Sequence, residues 1–419
     1  MADTSALQDG ARSEEATGVI GIHLGTSRAS VAVLHKDGRP HLVANEDGDR
    51  MVPAYVAFTG GEEVSSSHEP IMLSIDDSCL IEDPAVDEFR GHGSRVALTE
   101  EHGQLQLEIP PEEQWNDDGE LVQAGEASHY TPEQVVAVVM RQLRASAESA
   151  LGRAVTGAVL AYPAHFSSVQ RAGLCRAAQM AGLAVYQAVS EPAAAQLAFD
   201  ASAAPGDVNR LVIDMGGTTF RVHAYAIRGG LYSRLASRTE ANLGGRALDR
   251  ALAGQLQRDF TRRHRIDLSD RPRSIAKLIL ACEATRRILG VRPSAPCSVE
   301  SIADGIDLNV NVHRAVFDTA IAPLVQRCMA VISDVLAQAG WSVEGANDRA
   351  RPHEVLLLGG ASRLPLLHSQ LNKLLQTATA ATATSDDQPA NGAIKIRTDI
   401  EPDEAVALGC AIQASLLAG

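Results

Sequence analysis

Short apolar stretches separated by polar turns fill residues 18–58. Three of them, VIGIHLG, RASVAVLHK and HLVANE, are divided by glycine or Asp-Gly turns, and VPAYVAFTG continues the series. Apolar runs of this length between turn residues are typical of strands. We therefore predict that residues 18–58 form successive strands.

The pattern changes to a helical period after residue 130. Thr131, Pro132 and Gln134 provide an N-cap, a first-turn proline and a capping-box partner, and apolar residues then recur at helical spacing. A second capped helix is predicted to begin at Ser167 and to stop at Gly182.

The remaining periodic segments alternate between strands and helices. GAVLAYPA is typical of a buried strand, AVYQAVSEP and EVLLLGGAS are predicted to be strands, and LVIDMGGTTFRVHAYAI is predicted to be a strand, a turn and a second strand. Helices are predicted over about residues 245–265, 272–289 and 314–339, with a last helix from about Asp403. This alternation indicates an α/β protein.

Two segments lack a clear period. Residues 60–128 are polar and rich in acids, and GGEEVSSSHEP and PPEEQWNDDGE within them are predicted to be loops. We expect a small, irregular peripheral subdomain there. Residues 377–392, TATAATATSDDQPANG, are polar and of low complexity, which predicts a surface loop.

Composition narrows the class of protein. The 419 residues predict roughly two or three domains. No apolar run appears long enough to span a bilayer, so we expect no membrane partner. Residues 1–17 are polar and lack the apolar core of a signal peptide, so we predict a disordered tail. The net charge of −15 disfavours direct contact with nucleic acid.

The six cysteines are scattered and contain no Cys-x-x-Cys pair. This spacing argues against a zinc site or a disulfide framework and predicts no metal held by the protein itself. It favours a reducing compartment, and we expect the cytosol.

An internal repeat is the first feature of the sequence that indicates a ligand-binding site. IGIHLG-TSRASVAVL and LVIDMGGTTFRVHAYAI each join an apolar strand to glycine, hydroxyl residues and a second strand, when one gap is placed in the first copy. Glycine allows close approach to an anion, and consecutive N–H groups with hydroxyls hold phosphate oxygens. In one copy alone, an ordinary hairpin would be the better interpretation. Two copies favour a phosphate-binding pair.

A third glycine turn, LLLGGASRLP, lies between a predicted strand and helix, where a base or ribose can rest on flat backbone. Neither a P-loop nor a Gly-x-Gly-x-x-Gly motif is present, so those classes of nucleotide site are not supported.

The resemblance to a known family follows from these motifs and others in order. GIHLGTSRASVAV, VPAYVAFT, AVLAYPAHFSSVQRAGLCRAAQMAGLAVYQAVSEPAAA, VIDMGGTTF, NLGGRALD, ACEATRRIL, VLLLGGASRLP and EPDEAVALGCAIQASLL resemble the ATPase domain of the seventy-kilodalton heat-shock chaperones. That family belongs to the actin-like ATPases. The resemblance implies two lobes, 18–206 and 207–419, with duplicated βββαβα sheets and a nucleotide cleft between them. No peptide-binding domain is recognised.

The same resemblance implies roles for individual residues. Glu191, Asp214 and Thr219 match catalytic positions, with His23 at a degenerate one. Positions that bind ATP or ADP, with or without magnesium, are matched by Gly25, Thr26, Ser27, Gly216, Gly217, Thr218, Glu283, Arg286, Arg287, Gly359, Gly360, Arg363 and Asp403. Taken alone, Glu191 would be interpreted as an acid at the start of a helix. The predicted helix with Glu283, Arg286 and Arg287 would be interpreted as a charged face exposed to solvent.

Several positions depart from the family pattern. His23 replaces a carboxylate, Thr218 a glycine, Arg221 an acid and Met51 a hydroxyl, and GGEEVSSSHEPIML lacks the lysine expected there. Magnesium prefers oxygen ligands, so imidazole is a poor substitute. We expect nucleotide binding with weak or absent hydrolysis. The alternative is a slow but active ATPase, a truncated conventional chaperone, in which His23 or Arg221 supplies the missing cation.

The partner prediction also rests on resemblance. Gln187, Ser190 and Ala193 replace the residues that usually receive a J-domain. The combination resembles an atypical group, which includes heat shock 70 kDa protein 14 and the fungal subunit of the ribosome-associated complex. That group implies a zuotin-like J-domain protein as partner, indirect ribosome contact and a conventional heat-shock chaperone acting alongside. A sugar or acetate kinase of the same superfamily fits the motifs less well.

Overall fold

The computed structural model describes residues 18–35, 38–54, 56–59, 62–64, 97–101, 104–109, 112–115, 121–124, 127–201, 206–342, 350–380 and 394–418. The chain divides into two compact units. Unit 1 comprises Met1–Ala201 and Glu404–Gly419, and unit 2 comprises Ser202–Asp403.

Unit 1 begins with strands and continues with alternating helices and strands. Its strands are β1 (Val19–Leu24), β2 (Arg28–Leu34), β3 (Pro40–Leu42), β4 (Val52–Pro53), β5 (Ala57–Thr59), β6 (Glu62–Val64), β7 (Ala97–Glu101), β8 (Gln104–Ile109), β9 (Glu112–Trp115), β10 (Leu121–Ala124), β11 (Ser128–Tyr130), β12 (Gly157–Tyr162) and β13 (Ala184–Ser190). Its first helices are α1 (Pro132–Leu151), α2 (Ser168–Met180) and α3 (Glu191–Asp200).

Unit 2 repeats the sequence of strands and helices. Its strands are β14 (Val208–Met215), β15 (Phe220–Arg228), β16 (Leu231–Glu240), β17 (Ser294–Ala303), β18 (Ile306–His313), β19 (Glu354–Leu358) and β20 (Lys395–Arg397). Its helices are α4 (Gly245–His264), α5 (Pro272–Val291), α6 (Arg314–Gln338) and α7 (Pro365–Ala380), and a 3₁₀ turn spans Gly360–Arg363. The last helix of the chain, α8 (Ala405–Ala418), belongs to unit 1.

The main sheets of the two units share one topology. Unit 1 orders its strands β13-β12-β1-β2-β3, with β4 also beside β2, and unit 2 orders its strands β16-β15-β14-β19-β20. In both, the first three strands are antiparallel neighbours and two later strands run parallel to the first. The predicted α/β fold with duplicated βββαβα sheets is confirmed.

Local sequence signals fix the helix starts. Thr131 and Ser167 each accept a backbone N–H from a glutamine three residues on, and each glutamine bonds back to the cap, so both capping boxes form. Gly182 follows α2 with φ of 76°. The predicted helices agree with α4, α5 and α6 to within a few residues at their ends.

The final helix does not follow the predicted division of the chain into lobes 18–206 and 207–419. Helix α8 packs on β1 and α3, so Glu404–Gly419 group with unit 1 rather than with the C-terminal lobe. At Gly409 a β-carbon would lie 1.7 Å from the carbonyl oxygen of Ala194. Only glycine permits this approach, which fixes α8 against α3.

Two predicted loops are partly regular. PPEEQWNDDGE contains β9, which pairs with β10 and so satisfies its backbone groups. Residues 377–380 belong to helix α7, while the rest of the low-complexity segment lies outside the described residues. Of the predicted peripheral subdomain, the structure describes strands β6 to β11.

Helix α6 corrects the expectation that no apolar run is long enough to span a bilayer. Among the described helices it alone passes that test by length and composition. Its apolar side chains, including Phe317, Ile321, Ile332 and Val335, lie in the core of unit 2. A core helix of this kind is apolar because it is packed against other elements.

Candidate functional site

The first predicted phosphate turn joins β1 to β2. Leu24 and Ala29 form the last cross-strand pair, which leaves four residues, 25–28, in the turn. The Gly25 N–H donates to the carbonyl oxygen of Arg28 at 2.9 Å. Thr26 is buried, and the carbonyl oxygen of Ser27 accepts the N–H of Ala54 at 3.1 Å.

The second turn, between β14 and β15, has the same length. Met215 pairs with Phe220, and the Gly216 N–H donates to the carbonyl oxygen of Thr219 at 3.1 Å. The two turns therefore superpose position by position, and the gap placed in the first copy of the sequence repeat is wrong. His23 still corresponds to Asp214, but Arg28 now corresponds to Thr219 and Ser30 to Arg221.

Leu243 and the first two residues of α4 hold the second turn. Their backbone N–H groups donate to three successive carbonyl oxygens: those of Gly245, Arg246 and Leu243 donate to Gly216, Gly217 and Thr218, at 2.9, 2.7 and 3.1 Å. Because a trans peptide places N–H opposite C=O, the N–H groups that follow these carbonyls point away from the start of α4. N–H groups of a turn that are not used by the chain are available to an anion.

Histidine 23 lies over its own turn. A β-carbon on Gly25 would be 3.8 Å from Cε1 and 3.9 Å from Nε2 of His23. The same Nε2 is 3.4 Å from Oε1 of Glu191, the first residue of α3, whose side chain is 3% exposed. Nδ1 of His23 is buried and has no hydrogen-bond partner among the described residues. Glu191 is thus both a helix-start acid and a site neighbour.

Arginine 221 lies over the second turn, although its strand position corresponds to Ser30 and not to His23. It is the direct cross-strand partner of Asp214, and its Nε lies 3.4 Å from Oδ2 of that aspartate. Its Nη2 would be 3.9 Å from a β-carbon on Gly216. The hydroxyl of Thr219, buried beside Gly216, has no hydrogen-bond partner among the described residues. A phosphate oxygen at the turn would satisfy it.

Magnesium fits these residues poorly. The carboxylate of Glu191 faces an imidazole, and that of Asp214 faces a guanidinium. A hydrated Mg²⁺ needs carboxylates whose charge is not already balanced. The turns themselves, with glycine backbone and buried hydroxyls, fit a nucleotide phosphate.

The predicted adenosine helix is α5. Arg287 and Glu283 form an exposed pair at 2.5 Å, whereas Arg286 donates from Nε to Oδ1 of the buried Asp249 at 2.6 Å. Burial raises the pKa of Asp249, and the Arg286 guanidinium opposes that change. The sequence motifs predict no role for Asp249, although NLGGRALD ends on it.

The third glycine turn packs against the second. Gly359 has φ of 79°, and a β-carbon there would lie 2.3 Å from the carbonyl oxygen of Met215 and 2.8 Å from Oδ1 of Asp214. Its N–H donates to the carbonyl oxygen of Pro402 at 2.8 Å. Unit 2 therefore brings β14, the third turn and the segment before α8 together.

Asp403 lies at the same place in unit 2. A β-carbon on Gly360 would be 3.8 Å from its Oδ2. Arg363 bonds Asp403 at 2.5 Å and Glu401 at 2.7 Å. These contacts agree with a shared site, while the roles assigned to the individual residues stay predictions.

The catalytic lysine remains without a counterpart. The stretch that should carry it lies largely outside the described residues, but the sequence contains no lysine at all between Lys36 and Lys277. Met51 sits near the first turn, where its carbonyl oxygen accepts an N–H from Nη1 of Arg28 at 2.9 Å.

The positions linked to a J-domain lie on the outer edge of unit 1. Gln187 is exposed on edge strand β13 and accepts an N–H from Gln413 at 2.9 Å. Ser190 precedes α3 without a side-chain cap bond, and Ala193 is exposed. The J-domain partner stays a prediction.

The duplicated sheets, each carrying a glycine phosphate turn after its first strand, define an actin-like ATPase domain. The family model described as Hsp70 protein matches residues 19–419. The chain belongs to the Hsp70 family, whose ATPase domain binds nucleotide.

Similar proteins include conventional and atypical members. Heat shock 70 kDa protein 14 of Bos taurus is 31% identical over 413 residues, covering 96% of this chain and 74% of that protein. The Homo sapiens protein of that name is 30% identical over the same coverage. Heat shock 70 kDa protein BIP3 of Oryza sativa subsp. japonica is 32% identical and is covered over 57% of its length.

Proposed function

We propose that this chain binds ATP or ADP, hydrolyses ATP weakly or not at all, and serves as a scaffold subunit. Its partner is a zuotin-like J-domain protein in a cytosolic ribosome-associated complex. Through that partner the chain helps a conventional heat-shock chaperone act on nascent chains.

The observation that carries weak hydrolysis is the pairing of both site carboxylates. His23 lies beside Glu191 and Arg221 beside Asp214, each at 3.4 Å. Phosphoryl transfer to water depends on positioning and on charge placed at the reacting oxygens. Loss of one such group costs on the order of 10²–10³ in rate, and here the lysine is absent as well.

Binding has separate support. Both turns keep their glycine, their closing backbone bond and their hydroxyl residues. A ligand that binds only the folded chain stabilises it, by about 2.7 kcal/mol at a hundredfold excess over its dissociation constant. ATP would therefore stabilise the protein without being consumed.

The partner is supported by similarity and by charge. Heat shock 70 kDa protein 14 is among the similar proteins. Because Gln187, Ser190 and Ala193 replace the residues at the usual J-domain positions, the J-protein would not stimulate this chain in the ordinary way. A net charge of −15 disfavours direct contact with ribosomal RNA, so the ribosome would be reached through the J-protein.

Single-turnover hydrolysis of pre-bound ATP tests the first half. We expect the wild type to convert little ATP, and His23→Asp alone to recover little, because Arg221 and the missing lysine remain. The variant Arg228→Gln, an exposed arginine on the same strand as Arg221, is the control. Wild-type turnover typical of conventional family members would contradict weak hydrolysis and favour the active-ATPase alternative.

Purification of the tagged chain from its own cells tests the second half. We expect one J-domain protein in equal amount by mass spectrometry, with both proteins sedimenting with ribosomes. The chain alone should leave the ribosomal fraction when the J-protein is depleted. Ribosome binding that persists after that depletion would contradict the proposed arrangement.

A further inference from the structure

We infer that this chain binds its nucleotide as the metal-free anion. Arg221 at the turn of unit 2 and His23 at the turn of unit 1 each stand where a charge that orders magnesium is expected. The inference rests on the proposed nucleotide binding and specifies the form of the ligand.

Arginine 221 supplies a fixed positive charge at the second turn. Its side chain is 7% exposed, its Nε faces Asp214, and its Nη2 lies over Gly216. Guanidinium stays protonated at any physiological pH and binds phosphate through two N–H groups. The second turn therefore already carries a cation beside its first glycine.

Histidine 23 lies over the first turn, from the strand position that Asp214 holds in the second copy. Its imidazole lies over Gly25, one ring nitrogen faces Glu191, and the other is buried without a partner among the described residues. A buried ring nitrogen that lacks a partner is costly unless a ligand or water satisfies it. A phosphate oxygen or a bound water at the turn would do so.

A magnesium ion would gain little at either turn. In unit 2, Asp214 and Arg221 form a neutral pair, and a dication beside the guanidinium would be repelled at short range. In unit 1, imidazole takes the place that Asp214 holds in the repeat, and nitrogen is a poor ligand for Mg²⁺. At the first turn, His23 replaces the carboxylate that would order the metal. At the second turn, Arg221 balances the charge of the corresponding carboxylate, Asp214.

Equilibrium binding of fluorescent N-methylanthraniloyl-ADP to the full chain tests this inference. We expect the wild-type Kd to change by less than about threefold between excess EDTA and millimolar MgCl₂. After loading with MgATP and rapid desalting, the protein should retain nucleotide but little magnesium by atomic absorption. Binding that EDTA weakens by about tenfold or more would overturn the inference. No binding under either condition would overturn the proposed function too.

The variant Arg221→Gln sharpens the result. Loss of a charge-assisted contact to phosphate should raise the Kd in EDTA by about tenfold. Magnesium should recover part of that loss, because the carboxylate of Asp214 then no longer faces a guanidinium. Arg228→Gln, with the same loss of charge on the same strand, should bind as the wild type does. Equal binding by Arg221→Gln and wild type in EDTA would contradict the role of Arg221. If the variant fails to fold, the comparison of wild-type binding in EDTA and in MgCl₂ still tests the inference.

Discussion

The two phosphate turns have the same backbone and opposite charge arrangements. Each closes a four-residue turn with one N–H to carbonyl bond, between Gly25 and Arg28 in one and Gly216 and Thr219 in the other. The first turn has lost its carboxylate to His23, while the second has kept Asp214 and paired it with Arg221. The proposed function therefore relies on the closed glycine turn, which both copies keep, and not on the first carboxylate, which His23 replaces.

The turns also differ in how firmly they are held. The second has three carbonyls bound by Leu243 and the first two residues of α4, and packs on Gly359. The first is tied by the Ala54 N–H and by the Arg28 bond to Met51. We expect substitutions at the second turn to cost more stability, and the predictions below test that difference.

The largest effect is expected from Gly359→Ala. Alanine at φ of 79° is strained, and its β-carbon would meet the carbonyl oxygen of Met215 at 2.3 Å, so we expect a loss of about 3 kcal/mol in the free energy of unfolding. Gly290→Ala is the control, because no atom lies within 4 Å of a β-carbon there. Urea unfolding measures both. Equal stability of the two variants would show that the third turn does not brace the second.

A smaller loss is expected from Arg221→Gln. Glutamine leaves the largely buried carboxylate of Asp214 without its guanidinium, which costs about 2 kcal/mol in the absence of nucleotide. His23→Gln should cost less than about 1 kcal/mol, because the amide can still donate to Glu191. Thermal unfolding without ligand gives the order. A larger loss for His23→Gln would reverse the comparison between the turns.

The smallest change in stability is expected from Thr219→Val. The valine has nearly the same shape, and the hydroxyl it removes is buried without a partner among the described residues, so stability should stay within about 0.5 kcal/mol. Nucleotide affinity should fall, because that hydroxyl is left for the ligand. Unchanged affinity would show that Thr219 does not contact phosphate. Arg28→Met, at the matching place in the first turn, provides the comparison.

Much of the fold was predictable because its signals are local. Capping boxes at Thr131 and Ser167 and alternating apolar residues set the bounds of α1, α2 and the central strands. The repeat located both turns, since His23 and Asp214 stand at the same place in each copy. The gap was placed wrongly because residue types alone do not fix the length of a turn; the pairs Leu24–Ala29 and Met215–Phe220 do.

The sequence by itself determined the family, the duplicated hairpins and the departure at His23, because the order of motifs and the identity of residues can be read directly along the chain. Only the tertiary structure decided which charges meet. Strand pairing places Arg221 opposite Asp214, the start of α3 brings Glu191 to His23, and α5 brings Arg286 to Asp249. It also assigned α8 to unit 1, since an apolar helix takes its place from the surfaces that can bury it.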